Sequence, residues 1–172
     1  WDVNDDLTVK NILSFAHLAQ TTRSSVFGTN INIGGLHYWF FPAGSWHGIP
    51  TNSQDTFVEE LQFQGKDFDD RLTWQAGLYF EHSRPDGLSG SLSPALAACT
   101  IPGNDLQDWN CSTALPSGGM VSNLGTIEYK NMAAYTQATY EISDEYRVTL
   151  GLRYTMDEST GESKQQSFTF AD

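Results

Sequence analysis

Leu72-Thr73-Trp74-Gln75-Ala76-Gly77-Leu78-Tyr79-Phe80-Glu81-His82 is the stretch that decides the fold. Trp74, Ala76, Leu78 and Phe80 stand at every second position, and Thr73, Gln75, Gly77, Tyr79 and Glu81 stand between them. A period of two is the period of a β-strand. The stretch 147–157 repeats the pattern, with Val148, Leu150, Leu152, Tyr154 and Met156 set against Thr149, Gly151, Arg153, Thr155 and Asp157. Each of these arms follows a descending arm and a tight polar turn, Asp69-Asp70 in the first case and Ser143-Asp144-Glu145 in the second. Arms of roughly ten residues match the length of a membrane-crossing β-strand. One apolar face and one polar, partly charged face suits a wall between lipid and a watery lumen. On that assignment Trp74, Leu78, Phe80, Leu150, Leu152 and Tyr154 face lipid.

Three further strands extend the pattern outward, at 7–15, 56–66 and 127–142. In the second of them Leu61 and Phe63 share one face, with Glu60, Gln62 and Gln64 on the other. The connections alternate in length. Those at 67–71 and 143–146 are short, while 16–55 and 83–126 are long and rich in Gly, Ser, Asn, Thr and Pro, the residues of irregular surface chain. Loops of that length are unusual inside a compact domain, whereas outer-membrane barrels pair short periplasmic turns with long extracellular loops. The expected fold is therefore all-β: an antiparallel transmembrane β-barrel segment, about five or six strands of a larger barrel, with long extracellular loops. So few strands cannot close, because single-chain barrels begin at about eight, and open sheet edges invite aggregation. The chain starts at Trp1, and Gln165-Gln166-Ser167-Phe168-Thr169-Phe170 reads as the start of another strand, so an internal piece of a longer protein is expected. A competing architecture is a secreted β-sandwich, such as a carbohydrate-binding module, in which Trp74, Leu78, Leu150 and Leu152 would form the inner core.

Composition narrows the classes. Of the 172 residues, 39% are hydrophobic, and no apolar run approaches the ~18 residues of a transmembrane helix. Barrel strands escape that criterion because half their residues face water. Nine basic against 21 acidic residues give a net charge of -12, which disfavours nucleic-acid binding. The acids are scattered. They make a solvated surface, or else a face that attracts cations and meets lipopolysaccharide through divalent ions. No nucleophile elbow, zinc-protease helix motif or phosphate-cradling Gly loop occurs, so no enzyme, cofactor or metal site is expected. Asp5-Asp6 and Asp69-Asp70 fall at turns, where Asp bonds locally to backbone. His17 and His82 stand alone and read as ordinary polar residues.

Several stretches resemble TonB-dependent receptors of the bacterial outer membrane. Glu59-Glu60-Leu61-Gln62-Phe63 followed by Leu72-Thr73-Trp74-Gln75-Ala76-Gly77-Leu78-Tyr79-Phe80 is similar to the family's Glu-Leu-basic-Leu strand and its Trp-x-x-Gly-x-Tyr strand, with Gln62 where a basic residue is common. Ala133-Ala134-Tyr135-Thr136-Gln137-Ala138-Thr139-Tyr140 resembles the Ala-x-Phe-x-Gln-x-x-Tyr strand, and Leu150-Gly151-Leu152-Arg153-Tyr154-Thr155-Met156-Asp157 the Gly-x-Arg-Tyr-Thr-x-Asp ending. Leu7-Thr8-Val9-Lys10-Asn11-Ile12-Leu13-Ser14-Phe15 also fits a barrel strand. The match covers about half the residues and leaves the long loops out. The resemblance implies that 1–172 is part of the barrel domain of such a receptor, with about 22 strands around a plug and the plug domain not present in this chain. It further implies energy-coupled uptake of a scarce nutrient, such as a ferric siderophore, haem, cobalamin or an oligosaccharide. The TonB complex would be engaged through regions outside this chain, and the location would be the outer membrane of a Gram-negative bacterium. A passive porin or adhesin barrel is the other membrane reading.

The long loops hold the remaining candidates. His37 and His47 bracket Tyr38, Trp39, Phe40, Phe41 and Trp46. Such a cluster stacks on a sugar, haem or aromatic siderophore, or it forms an aromatic girdle or a folded-in loop core. Cys99 and Cys111 flank a short stretch of the second loop. At an oxidising cell surface they form a disulfide worth about 3 kcal/mol; otherwise they are two thiols or pair elsewhere.

Overall fold

The computed structural model describes residues 1–22, 24–25, 31–33, 36–38, 42–45, 48–95, 98–100, 110–112 and 119–169, and the structural statements below concern these. The chain is all-β and antiparallel, with no helix among the described residues. The longer strands are β2 (Leu7–Gln20), β7 (Asn52–Asp67), β8 (Leu72–Pro85), β12 (Gly119–Ser143) and β13 (Tyr146–Thr169). Shorter ones are β1 (Asp2–Asn4), β3 (Ser24–Ser25), β4 (Ile31–Ile33), β5 (Leu36–Tyr38), β6 (Pro42–Ala43), β9 (Ser89–Ala95), β10 (Ala98–Thr100) and β11 (Asn110–Ser112).

Two compact units divide the chain: Trp1–Ala16 with Asp55–Arg84 and Glu128–Thr160, and His17–Gln54 with Pro85–Ile127 and Gly161–Asp172. In the first, the strands lie in the order β1-β2-β7-β8-β12-β13. The β8–β12 register runs from Ser83↔Tyr129 to Leu72↔Tyr140. This sheet is open rather than closed on itself. Three tight turns, at Asp5-Asp6, 68–71 and Asp144-Glu145, lie at one end of it. Backbone hydrogen bonds tie that end together, with Lys66 N–H donating to Asp6 C=O at 3.0 Å and Glu141 N–H to Arg71 C=O at 2.8 Å. Phe68, Asp69 and Asp70 all take positive φ (54°, 54° and 64°) to make the 68–71 turn, a conformation that Asp tolerates better than a bulky side chain does.

In the second unit β9 pairs with the start of β12, from Ser89↔Gly125 to Ala95↔Gly119. The small antiparallel pairs are β3–β6, β4–β5 and β10–β11. Gly44 and Leu92 exchange both backbone hydrogen bonds, at 3.0 and 2.8 Å, and Leu92 is buried.

All five expected strands are present, and the structure corrects their bounds. Each is longer than its alternating stretch, because backbone pairing continues where the apolar period has faded. The stretch 165–169 is the end of β13 rather than the start of a new strand. The regions 16–55 and 83–126 are likewise not purely irregular, since they carry β3 to β6 and β9 to β11.

Candidate functional site: the two faces of the sheet

The register of β8 and β12 puts Leu72, Trp74, Ala76, Leu78 and Phe80 on one face together with Tyr140, Ala138, Thr136, Ala134 and Met132. Much of this apolar face is left open by the described residues. Leu78 is 57% exposed, Leu150 74% and Leu152 75%, and the only buried apolar residues among those described are Leu92 and Ala133. A sandwich core would require Leu78, Leu150 and Leu152 to be buried. From Leu72 to Phe80 a strand rises roughly 27 Å, close to the lipid-facing band about 25 Å tall of outer-membrane barrels. Phe80 meets Phe57 with ring centroids 6.4 Å apart. Trp74 packs over Gly65 so closely that a Cβ there would meet its indole at 2.5 Å.

Past Phe80 and Met132 the same face turns ionic. His82 Nε2 lies 2.6 Å from Glu128 Oε1, and Lys130 Nζ reaches that oxygen at 3.3 Å. His82, read from sequence as a lone polar residue, belongs to a three-residue cluster. The signal was the spacing of Glu128 and Lys130 on one strand, but their pairing with His82 depends on the β8–β12 register.

The opposite face is polar and cross-linked. Tyr135 O–H donates to Glu60 Oε1 at 2.6 Å, and Tyr79 O–H to Glu81 Oε2 at 2.6 Å. The Arg153 guanidinium lies over both rings, 5.6 Å from Tyr79 and 5.9 Å from Tyr135, within the range of cation–π attraction. Its Nε donates to Thr155 Oγ1 at 3.1 Å. Asn131 Nδ2 donates to Asp157, Thr139 and Thr149 hydroxyls meet at 2.9 Å, and Thr56 meets Ser83 at 2.7 Å. Tyr135 stands directly opposite Gly77. A Cβ on Gly77 would meet its ring at 2.5 Å, so the glycine makes room for the aromatic that anchors the network. Toward the tight-turn end this face holds an open groove of about 410 Å³, whose lining includes Thr8, Gln64, Thr73, Gln75, Gln137 and Thr139 together with Asp5, Asp6 and Lys66.

The residues expected to face lipid, Trp74, Leu78, Phe80, Leu150, Leu152 and Tyr154, belong to the apolar alternation, and the last three are strongly exposed. The aromatic loop is reached only in part. His37 and Tyr38 have their backbone in β5, opposite Asn32 and Ile31 of β4. Trp39, Phe40, Phe41, Trp46 and His47 lie outside the described residues. Cys99 and Cys111 stand directly opposite each other in the β10–β11 backbone register. Among the described residues no group of three His, Cys, Asp or Glu side chains is placed to hold a metal ion. No helix long and apolar enough to cross a membrane is present among them, a criterion that does not apply to β-strands. No protein-family model, curated protein or solved structure matches the chain.

Proposed function

We propose that this chain is part of the wall of an outer-membrane β-barrel of the TonB-dependent receptor type, serving energy-coupled uptake of a scarce nutrient. One observation carries the reading: an antiparallel sheet with an apolar band of about membrane height, left largely exposed among the described residues, and a hydrogen-bonded polar face behind it. In lipid the apolar band needs no protein cover, and the polar face meets a water-filled interior. Tight turns at one end of the strands and long connections at the other fit the periplasmic and extracellular sides of such a barrel. The ionic cluster of His82, Glu128 and Lys130 then stands at the headgroup level on the side of the long connections. Neighbouring strands beyond this sheet would close the wall, since backbone groups in lipid must all be paired. The receptor type, as opposed to a passive pore, rests on the strand motifs around Trp74, Gly77, Tyr135 and Arg153.

The test is genetic. Deleting the coding region in the source bacterium abolishes growth on one limiting nutrient, a ferric siderophore, haem, cobalamin or an oligosaccharide, and so does removing the inner-membrane energy coupling. Uptake that persists without energy coupling would leave a passive pore, and unchanged growth on every such nutrient would sink the transport reading.

A further inference from the structure

The groove on the polar face differs in chemistry from the rest of that face. Higher on the sheet the polar side chains are charged and mutually satisfied: Glu60, Glu81, Arg153 and Asp157 each have a partner. Along β8 and β12 the groove is lined by uncharged threonine and glutamine side chains, arranged in rows that run across the strands, and Asp5, Asp6 and Lys66 complete its lining toward the tight turns. Gln75 and Gln137 are register partners on β8 and β12, and Thr73 and Thr139 are register partners one step beyond. Gln64 on β7 and Thr8 on β2 line the same groove. The ammonium in its lining, Lys66, is paired with Asp70 at 3.3 Å, and the other charges there, Asp5 and Asp6, are negative.

A carboxamide offers a donor and an acceptor side by side, which is the complement of a vicinal diol, and a threonine hydroxyl both donates and accepts. An anion would look for guanidinium or ammonium groups and find Lys66 already paired. Gln64 Nε2 already donates to Gln62 Oε1 at 3.1 Å, but an apolar ligand would leave the Gln75 and Gln137 carboxamides unsatisfied at a cost. Spacing narrows the ligand further. Adjacent strands lie about 4.8 Å apart, near the repeat of one hexose in an extended β-linked glycan, so successive sugars would meet successive strands. An extended peptide repeats its same-side amides at about twice its 3.4 Å rise and falls out of step with the row.

From this we infer that the groove is a subsite for a linear, uncharged oligosaccharide lying across β7, β8 and β12, one sugar to a strand, with Gln64, Gln75 and Gln137 as its diol-binding amides. The inference names a substrate class for the proposed transporter and rests on that reading only in taking this face as the one toward water.

The experiment uses the full chain in detergent micelles, titrated calorimetrically with cellohexaose, chitohexaose and glucose. The expected result is binding of at least one hexasaccharide and none of glucose, with affinity falling about tenfold in Gln75→Ala and again in Gln137→Ala. Circular dichroism checks the sheet in each variant. Gln137→Asn, which keeps the amide but draws it back, is the second variant and also weakens binding. A wild-type chain that ignores both glycans, binds glucose as well as it binds them, or is indifferent to these substitutions overturns the inference. A chain that is monomeric in plain water and still binds the glycans would refute the membrane reading alone and leave the groove assignment standing.

Discussion

Leu78 and Gln75 are three residues apart on one strand and face opposite environments, so they separate the two faces at single-residue resolution. Leu78 is 57% exposed in a protein with almost nothing apolar buried among the described residues. In water an arginine at such a position would cost little. Against lipid near mid-membrane it costs about 2–4 kcal/mol. Leu78→Arg and Leu152→Arg should therefore each impair membrane assembly by that amount, while Gln75→Arg on the polar face leaves assembly unchanged. Yield of folded protein in the membrane fraction reads the difference, and equal tolerance at the two faces would reject the assignment. The faces were legible in sequence because side-chain alternation is a local property of a strand. The partners were not. That Tyr135 reaches Glu60, that Arg153 covers Tyr79, and that Gly77 yields space to Tyr135 all depend on strand order and register. Those are set by pairs far apart in the chain.

At the scale of elements, the alternating cores of five strands were readable and their ends were not. β12 begins at Gly119 and β13 runs to Thr169, well outside the stretches where large apolar residues alternate. Pairing there needs only backbone, as in the β9–β12 ladder, where Ser89, Gly90, Ser91 and Ser93 interrupt the apolar residues, and a hydrophobic period cannot report it. The same blindness hid β10 and β11. Their register sets Cys99 opposite Cys111, and directly opposed residues in an antiparallel pair have Cα atoms about 4.5–5.5 Å apart, inside the span of a disulfide. The pair should accordingly resist alkylation until reduced, with a mass two hydrogens below that of the dithiol. Ready labelling of both thiols without reductant would show the hairpin to be held by backbone alone.

At the scale of the whole molecule, the balance of stabilising terms is unusual. A soluble chain of this length earns its stability by burying apolar side chains. Here Leu92 and Ala133 are the buried apolar residues among those described, while Leu13, Phe15, Leu78, Leu150, Leu152 and Tyr154 are all exposed. Cross-strand polar contacts hold register on one face, but each contributes only about 0.5–1.5 kcal/mol, too little to replace a core. The missing term must come from what the apolar face touches. So many large apolar side chains exposed on one sheet are more than a monomeric soluble protein usually leaves open, and the outer edge of β13, unpaired among the described residues, adds a second adhesive surface. The full chain should thus self-associate in water, its sedimentation coefficient rising with concentration, and disperse when detergent above its micelle concentration covers the apolar band. Detergent alone should leave some residual association, because it masks the face and not the edge. A monodisperse monomer in plain water would mean that the apolar face is covered by the chain itself. That outcome would turn the argument from a membrane wall to a secreted sandwich.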